Sequence, residues 1–282
     1  MATTKRKPSS RKPVSKKRVE PKPSFFSSSL FFKLIVTFGI LTFLYSQKSV
    51  FARYLGYTTD KILFSEARSM PIDKVLDAHI EKSFGIDISE YQNKIDWDEV
   101  KEIEGGYPIE FVFIRASVGN DRPDYKFKKY WKKAKEKGWI CGAYHYYRPN
   151  ENSIEQADNF IKQVTLVEGD FPPVLDIEKL PKEQSIERLK VGLRRWLERV
   201  EQHYGVKPII YSSESYYEDF LKDDFENYPF WIANYTAFYK DIDDEWSIWQ
   251  FSENGKVYGI KGPVDINIYN GTSVEMKEIL IK

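Results

Sequence analysis

Eight short runs of β-forming residues, each followed by a polar or helical stretch, constrain this chain more than any other feature. They are FGIDIS (84–89), FVFIRAS (111–117), ICGAYHYY (140–147), PVLDIE (173–178), KPIIYSS (207–213), FWIANY (230–235), WSIWQFS (246–252) and VDINIYN (264–270). Helical patterns fall between them at Trp97–Ile103, Tyr125–Lys137, Ile154–Val167, Ser185–Tyr204 and Glu214–Leu221, with Gly138 and Gly205 where helix stop signals belong. Strands alternating with helices point to parallel βαβ units. Eight of them in the 199 residues from Phe84 to Lys282 predict a closed barrel. The stretches 235–246 and 252–264 are too short or too polar for full helices. The expected fold is therefore α/β, a modified, TIM-like (β/α) barrel of eight strands with helices missing from its last third. A doubly wound open sheet is the structural alternative, but no glycine-rich phosphate loop is present.

Ahead of the barrel region the texture differs. Residues 1–22 carry nine Lys/Arg and one Glu, so the chain's overall charge of +1 hides a basic tail joined to an acidic body. Residues 1–24 have almost nothing to bury and are expected to be a disordered cytoplasmic tail. Phe25–Tyr45 reads FFSSSLFFKLIVTFGILTFLY, 21 residues with Lys33 as the one charge. A helix of that length rises about 30 Å, the thickness of a bilayer's hydrocarbon. With positive charge before it, the expected arrangement is a signal-anchor over 25–46, a cytoplasmic N-terminus and an extracytoplasmic body over 83–282. A cleaved signal peptide, which would make the body a secreted protein, is the alternative. No A-x-A-like cleavage site follows. Residues 47–82 read as a juxtamembrane connector of weak helical character.

In a barrel of this kind the site lies at the C-terminal ends of the strands. Polar residues recur there: Asp87 on strand one, Arg115 on strand two, His145 and Tyr147 on strand three, Asp176 and Glu178 on strand four. Tyr211, Asn234 and Gln250 end strands five to seven, and strand eight carries Asp265 and Asn267. The sharpest feature is Asp176-Ile177-Glu178. Residues two apart on a strand point the same way, about 6.6 Å apart, so both carboxylates face one cavity mouth while Leu175 and Ile177 face the helices. Two carboxylates held close do not ionise independently; one is pushed up and becomes a general acid beside an anion. Glycoside hydrolysis needs that pair. The other reading of D-x-E is an ion-paired or capping pair, but inside the apolar run PPVLDIE an unpaired carboxylate is costly.

The remaining features carry less chemistry. His145 reads equally as substrate contact or structural residue. Three histidines without an H-E-x-x-H pattern, and one cysteine, leave no metal or disulfide framework to propose, and no cofactor is expected. Cys141, early in strand three, is expected to be buried and inert. Trp231, Trp249, Tyr146, Tyr147 and Tyr211 suit either sugar stacking or core. KFKKYWKKAKEKG (126–138) reads as the solvated face of a helix, not a nucleic-acid patch.

Taken in order, GIDISEYQNKIDW, FVFIRASVGN, GAYHYYRP, PPVLDIE, KPIIYSS, WIANY, IWQFS and VDINIYNG resemble the glycoside hydrolase family 25 lysozymes, the Chalaropsis-type muramidases. The likeness spans about Phe84 to Gly271. It implies a modified β/α barrel that cleaves the β-1,4 bond between N-acetylmuramic acid and N-acetylglucosamine in peptidoglycan. By position it implies Glu178 as general acid/base and Asp176 as the residue that holds the substrate acetamido group or stabilises positive charge. The resemblance also implies that Asp87 and Asp265 line the same groove, and proposals for the family include participation by the substrate's own N-acetyl group. Tyr147, Tyr211, Asn234, Gln250, His145 and Arg115 are the expected substrate contacts. The expected partners are peptidoglycan strands and the membrane, with the protein a monomer. A hydrolase of another N-acetylhexosamine polymer such as chitin, or a non-catalytic glycan-binding protein, are the alternative functions.

Overall fold

The computed structural model describes residues 71–235, 242–243 and 245–282. The basic tail, the Phe25–Tyr45 segment and the connector up to residue 70 lie outside the described residues. Among the described residues no helix is long and apolar enough to cross a membrane.

Eight strands close a barrel: β1 (Ser83–Ile88), β2 (Phe111–Val118), β3 (Ile140–Tyr146), β4 (Val174–Asp176), β5 (Ile209–Ser213), β6 (Phe230–Ala233), β7 (Trp246–Gly255) and β8 (Val264–Tyr269). Each expected run supplies one strand. Pairing proceeds from β2 round to β7 and β8, and β1 closes the ring by pairing with both β8 and β2. The pairs from β1–β2 to β6–β7 are parallel. β8 departs from the all-parallel expectation: it runs antiparallel to both β7 and β1. The short link from Gly255 to Val264 turns at Gly259 and Gly262, both at positive φ, and holds no crossover helix that could return the chain to the far end. A hairpin forms instead.

The two-residue period divides the apolar residues into two layers. Phe111, Phe113, Val174, Ile209, Trp231 and Ile248 fill the barrel interior. There Phe113 stacks on Trp231 at 4.5 Å and meets Phe171 at 4.8 Å. Their neighbours Val112, Ile114, Leu175, Ile177, Ile210, Ile232 and Trp249 face outward to the helices. Gly142 sits on the inner face because Phe113 leaves no room: a Cβ there would lie 2.2 Å from the ring.

The outer layer contains α1 (Ile72–Ala78), α2 (Phe127–Glu136), α3 (Ser153–Gln163) and α4 (Ile186–Tyr204). Asn152 caps α3 by accepting from Ile154 N and Glu155 N, and Ser185 caps α4 by accepting from Arg188 N. Gly205 ends α4 at φ 72°, a left-handed stop that suits glycine. After β5, a helical turn at Glu214–Tyr216 widens into a π-turn over Tyr217–Leu221. Among the described residues no helix lies between β6 and β7 or between β7 and β8.

The helix expected over Trp97–Ile103 does not form. Asp96 N donates to Gly259 O and Glu104 N to Lys256 O, both at 2.8 Å, and Ile103 bridges Val257. Those bonds tie the segment to the β7–β8 link and take the backbone groups a helix needs. At the other end, α1 folds back on the barrel with Val75 and Leu76 fully buried. Tyr107 Oη donates to Asp77 at 2.5 Å and His79 meets the Trp249 ring edge-on at 5.8 Å.

Candidate active site

A cleft of about 800 Å³ opens at the C-terminal ends of β1–β7. Among the described residues its charged lining is Asp87, Asp176, Glu178, Glu214, Glu218, Glu253, Asp265 and, as a cation, Arg115. Of the expected residues, Asp87, Asp176, Glu178, Asp265, Arg115, Tyr211, Asn234 and Gln250 all line this cleft.

Asp176 is the last residue of β4, and Glu178 follows two positions on, on the same inner side; Ile177 between them is fully buried in the outer layer. Burial pushes the Asp176 carboxyl well above its usual range, the charge of Glu178 and then of Asp87 adds to this, and Arg115 and Lys179 oppose it. Asp176 Oδ1 is buried with no hydrogen-bond partner among the described residues. The electric influence of Glu178 also reaches Asp87, Asp265, Tyr146, Tyr211 and Tyr235, so it stands at the centre of the group.

Asp87 lies opposite Asp265 in the β1–β8 register. Because β8 runs backward, Asp265 near its start stands at the same rim as the ends of the parallel strands. Burial pushes both up: Asp87 to about 6, against the pull of its hydrogen bonds, and Asp265 to about 9, with the Asp87 charge next in weight. A hydrogen bond joins the two side chains, with the more basic Asp265 as donor. Asp87 Oδ2 also accepts from Gln250 Nε2 at 2.8 Å and Asn267 Nδ2 at 2.9 Å. Gln250 Oε1 in turn accepts from the hydroxyls of Tyr211 at 2.8 Å and Tyr235 at 2.6 Å. Asn267 Oδ1 accepts from Trp231 Nε1 at 2.9 Å. Asp87 is thus the anion of the pair, fixed by amides whose own orientation is fixed.

Arg115 points inward, but its charge is already engaged. Its Nε donates to Asp124 at 3.0 Å, Glu90 lies 3.3 Å from Nη2, and the Tyr91 ring covers it at 4.6 Å. Asn234 donates to Glu214 at 2.7 Å and its carbonyl accepts from Trp249 Nε1 at 2.8 Å, which keeps Trp249 in the outer layer.

His145 and Tyr147 are not in the cleft, contrary to expectation. On β3 the inward residues are Gly142, Tyr144 and Tyr146, so 145 and 147 face the helices. His145 is fully buried and stacks on Trp196 at 5.6 Å. Its Nδ1 accepts from Ser117 Oγ at 2.8 Å and its Nε2 donates to Gln156 Oε1 at 3.2 Å. Burial lowers its pKa to about 3, so it stays neutral. Tyr147 is buried against Ser153, its hydroxyl 2.7 Å from Ser153 Oγ. Cys141 is buried and its thiol is pushed up to about 12.

Reading the sequence alone missed Tyr144, Tyr235, Glu214 and Glu253 as lining residues. Counting in twos from Gly142 would have found Tyr144. Glu253 lies beyond one register shift in β7 and inside the next, which no sequence period reveals. Among the described residues no group of three or more His, Cys, Asp or Glu could hold a metal ion.

The arrangement is that of an acid-lined groove with a buried carboxyl pair at its floor, suited to placing a proton next to negative charge. Residues 86–260 match the profile described as glycosyl hydrolases family 25. The protein YegX of Escherichia coli K12 is 40% identical over 195 residues, covering 68% of this chain and 71% of YegX. Lysozyme M1 of Streptomyces globisporus is 30% identical over 207 residues, covering 68% of this chain and 69% of that protein. A solved family 25 glycosyl hydrolase from Bacillus anthracis superposes with a TM-score of 0.64 at 26% identity, covering 76% of this chain and 97% of that one. On sequence profile, relatives and barrel architecture together, the chain belongs to glycosyl hydrolase family 25.

Proposed function

We propose that the protein is a peptidoglycan muramidase, with Glu178 as general acid/base and Asp176 as its assisting carboxylate. The observation that carries the reading is the placement of Asp176 and Glu178 on one inner face at the mouth of an open cleft, in a chain of this family. Glu178 gives its proton to the glycosidic oxygen as the bond from that oxygen to the muramyl C1 breaks, so the N-acetylglucosamine side leaves as an alcohol. The electron-poor C1 is captured by the carbonyl oxygen of its own N-acetyl group. Water then adds to C1, and Glu178 takes the water proton back.

In the empty cleft burial, and then the charge of Glu178, favour the protonated form of Asp176. A substrate acetamido N–H donating to Asp176 Oδ1 stabilises the anion there and leaves the proton to Glu178, where the leaving oxygen needs it. Asp87, held by Gln250 and Asn267, and protonated Asp265 form the polar floor on which a sugar ring rests. Tyr211 and Asn234 are placed to contact it.

The charge pattern and the Phe25–Tyr45 run support a body held outside the cytoplasmic membrane by a single anchor. Measuring the mass of the mature N-terminus separates a retained anchor from a cleaved signal. The activity itself is tested by digesting purified peptidoglycan and chitin and reading the products by mass spectrometry. New reducing ends on N-acetylmuramic acid support the reading. Reducing ends on N-acetylglucosamine, release from chitin alone, or binding without turnover contradict it.

A further inference from the structure

The charge in the cleft is unevenly spread, and this bears on which way a glycan strand lies in it. The carboxylates Glu214, Glu218 and Glu253 belong to the β5–β7 side, and Asp87, Asp176 and Glu178 to the β1–β4 side. On the β1–β4 side two tyrosine rings line the cleft, and each has a cation packed on it. Arg115 lies over Tyr91 at 4.6 Å, and Lys179 Nζ lies 5.3 Å from the centre of the Tyr146 ring. The two cations are not equivalent. Arg115 is buried and committed to Asp124 and Glu90. Lys179 is exposed, directly follows Glu178, and takes part in no ion pair among the described residues. Its backbone is fixed, because its carbonyl accepts from Tyr216 Oη at 3.3 Å. Its ammonium lies on a ring that belongs to the cleft wall, and its charge reaches Asp176.

Muramic acid differs from glucosamine by a lactyl ether on O3, which ends in a carboxylate when free and carries the acidic stem peptide when substituted. On the β5–β7 side a negative group meets carboxylates alone, whereas beside Asp176 and Glu178 it also meets, among the described residues, the exposed Lys179 ammonium. We propose that Lys179, seated on Tyr146 with Tyr91 beside it, forms a subsite for the carboxylate-bearing O3 arm of a muramyl residue and thereby sets strand direction. This rests on the muramidase reading and deepens it: the same cleft then selects muramyl polymers over chitin by charge as well as by shape. The pair is exposed, so its strength falls in the surface range and is screened by salt.

The test measures binding to the full-length chain carrying Glu178→Gln, so that cleavage does not enter. The probes are a peptide-free GlcNAc–MurNAc tetrasaccharide with free lactyl carboxylates and its lactyl methyl ester. The free acid is expected to bind about 2- to 5-fold more tightly than the ester. That preference should vanish in Lys179→Met, reverse in Lys179→Glu, and shrink at about 0.5 M salt. Equal binding of acid and ester by the parent protein overturns the subsite, as does an unchanged preference in Lys179→Met. Because the ester comparison needs no variant at position 179, a misfolded variant cannot shield the proposal. Cleavage of peptidoglycan by the unsubstituted protein alongside equal binding removes this subsite alone; absence of cleavage removes the muramidase reading itself.

Discussion

Asp265 and His145 set opposite limits on the pH range in which this barrel is stable. Asp265 has its folded-state pKa raised to about 9, against about 3.9 in an unfolded chain. Between those values the folded state holds the extra proton, so stability falls as pH rises. For His145 the folded value is lowered to about 3, against about 6.5 unfolded. Between those values the unfolded state holds the extra proton, so stability falls as pH falls. Melting midpoints should therefore decline on both sides of a maximum. Asp265→Asn keeps a donor for Asp87 and removes the alkaline cost. It should raise the midpoint at pH 8, by roughly 2–4 °C for each kcal/mol recovered, and flatten the decline from pH 5 to 9 in scanning fluorimetry. An unchanged alkaline limb would mean that Asp265 ionises normally. The same residues mark what the sequence could show. Asp87, Asp176, Glu178 and Asp265 were legible as acids at strand ends within apolar runs. His145 and Tyr147 were misplaced because a strand read one residue out of phase turns every side chain to the other face.

At the scale of elements, β8 decides whether Asp265 belongs to the site at all. In a parallel strand a residue next to the start lies at the closed end of the barrel; the hairpin puts it opposite Asp87 instead. Strand positions were readable because each is a short β-branched or aromatic run bounded by turn residues. Direction was not, because it depends on whether a link can hold a crossover helix. The helix expected at Trp97–Ile103 failed for a related reason, since its backbone bonds go to a segment about 155 residues further on. Packing on β3 supplies a prediction here. Gly142→Ala places a methyl group against Phe113 and should cost about 1–3 kcal/mol of stability in urea unfolding. A variant as stable as the parent would mean that the barrel interior has room that the packing denies. Ser185→Ala, which removes the α4 cap, should cost about 1 kcal/mol and leave turnover unchanged, because α4 lies on the outer layer.

The described residues form a barrel whose fold was largely legible and whose margins were not. Family likeness and strand count both start near residue 84, yet α1 packs Val75 and Leu76 onto the outer layer. The helix was hard to see because seven residues with two buried side chains give little period to read. A fragment of residues 71–282 should outlast one of 83–282 by roughly 3–5 kcal/mol of lost burial at most, visible as a higher melting midpoint. Equal midpoints would mean that α1 adds nothing to the barrel. All of these features serve one claim, that a proton delivered by Glu178 beside Asp176 breaks a glycosidic bond. The direct measurement compares initial rates of reducing-end release from peptidoglycan by the parent protein and by Glu178→Gln, with melting midpoints recorded for both. A rate loss of at least about 100-fold, the usual weight of a general acid, is expected, with the midpoint preserved. A Glu178→Gln protein that cleaves at the parent rate would contradict the claim.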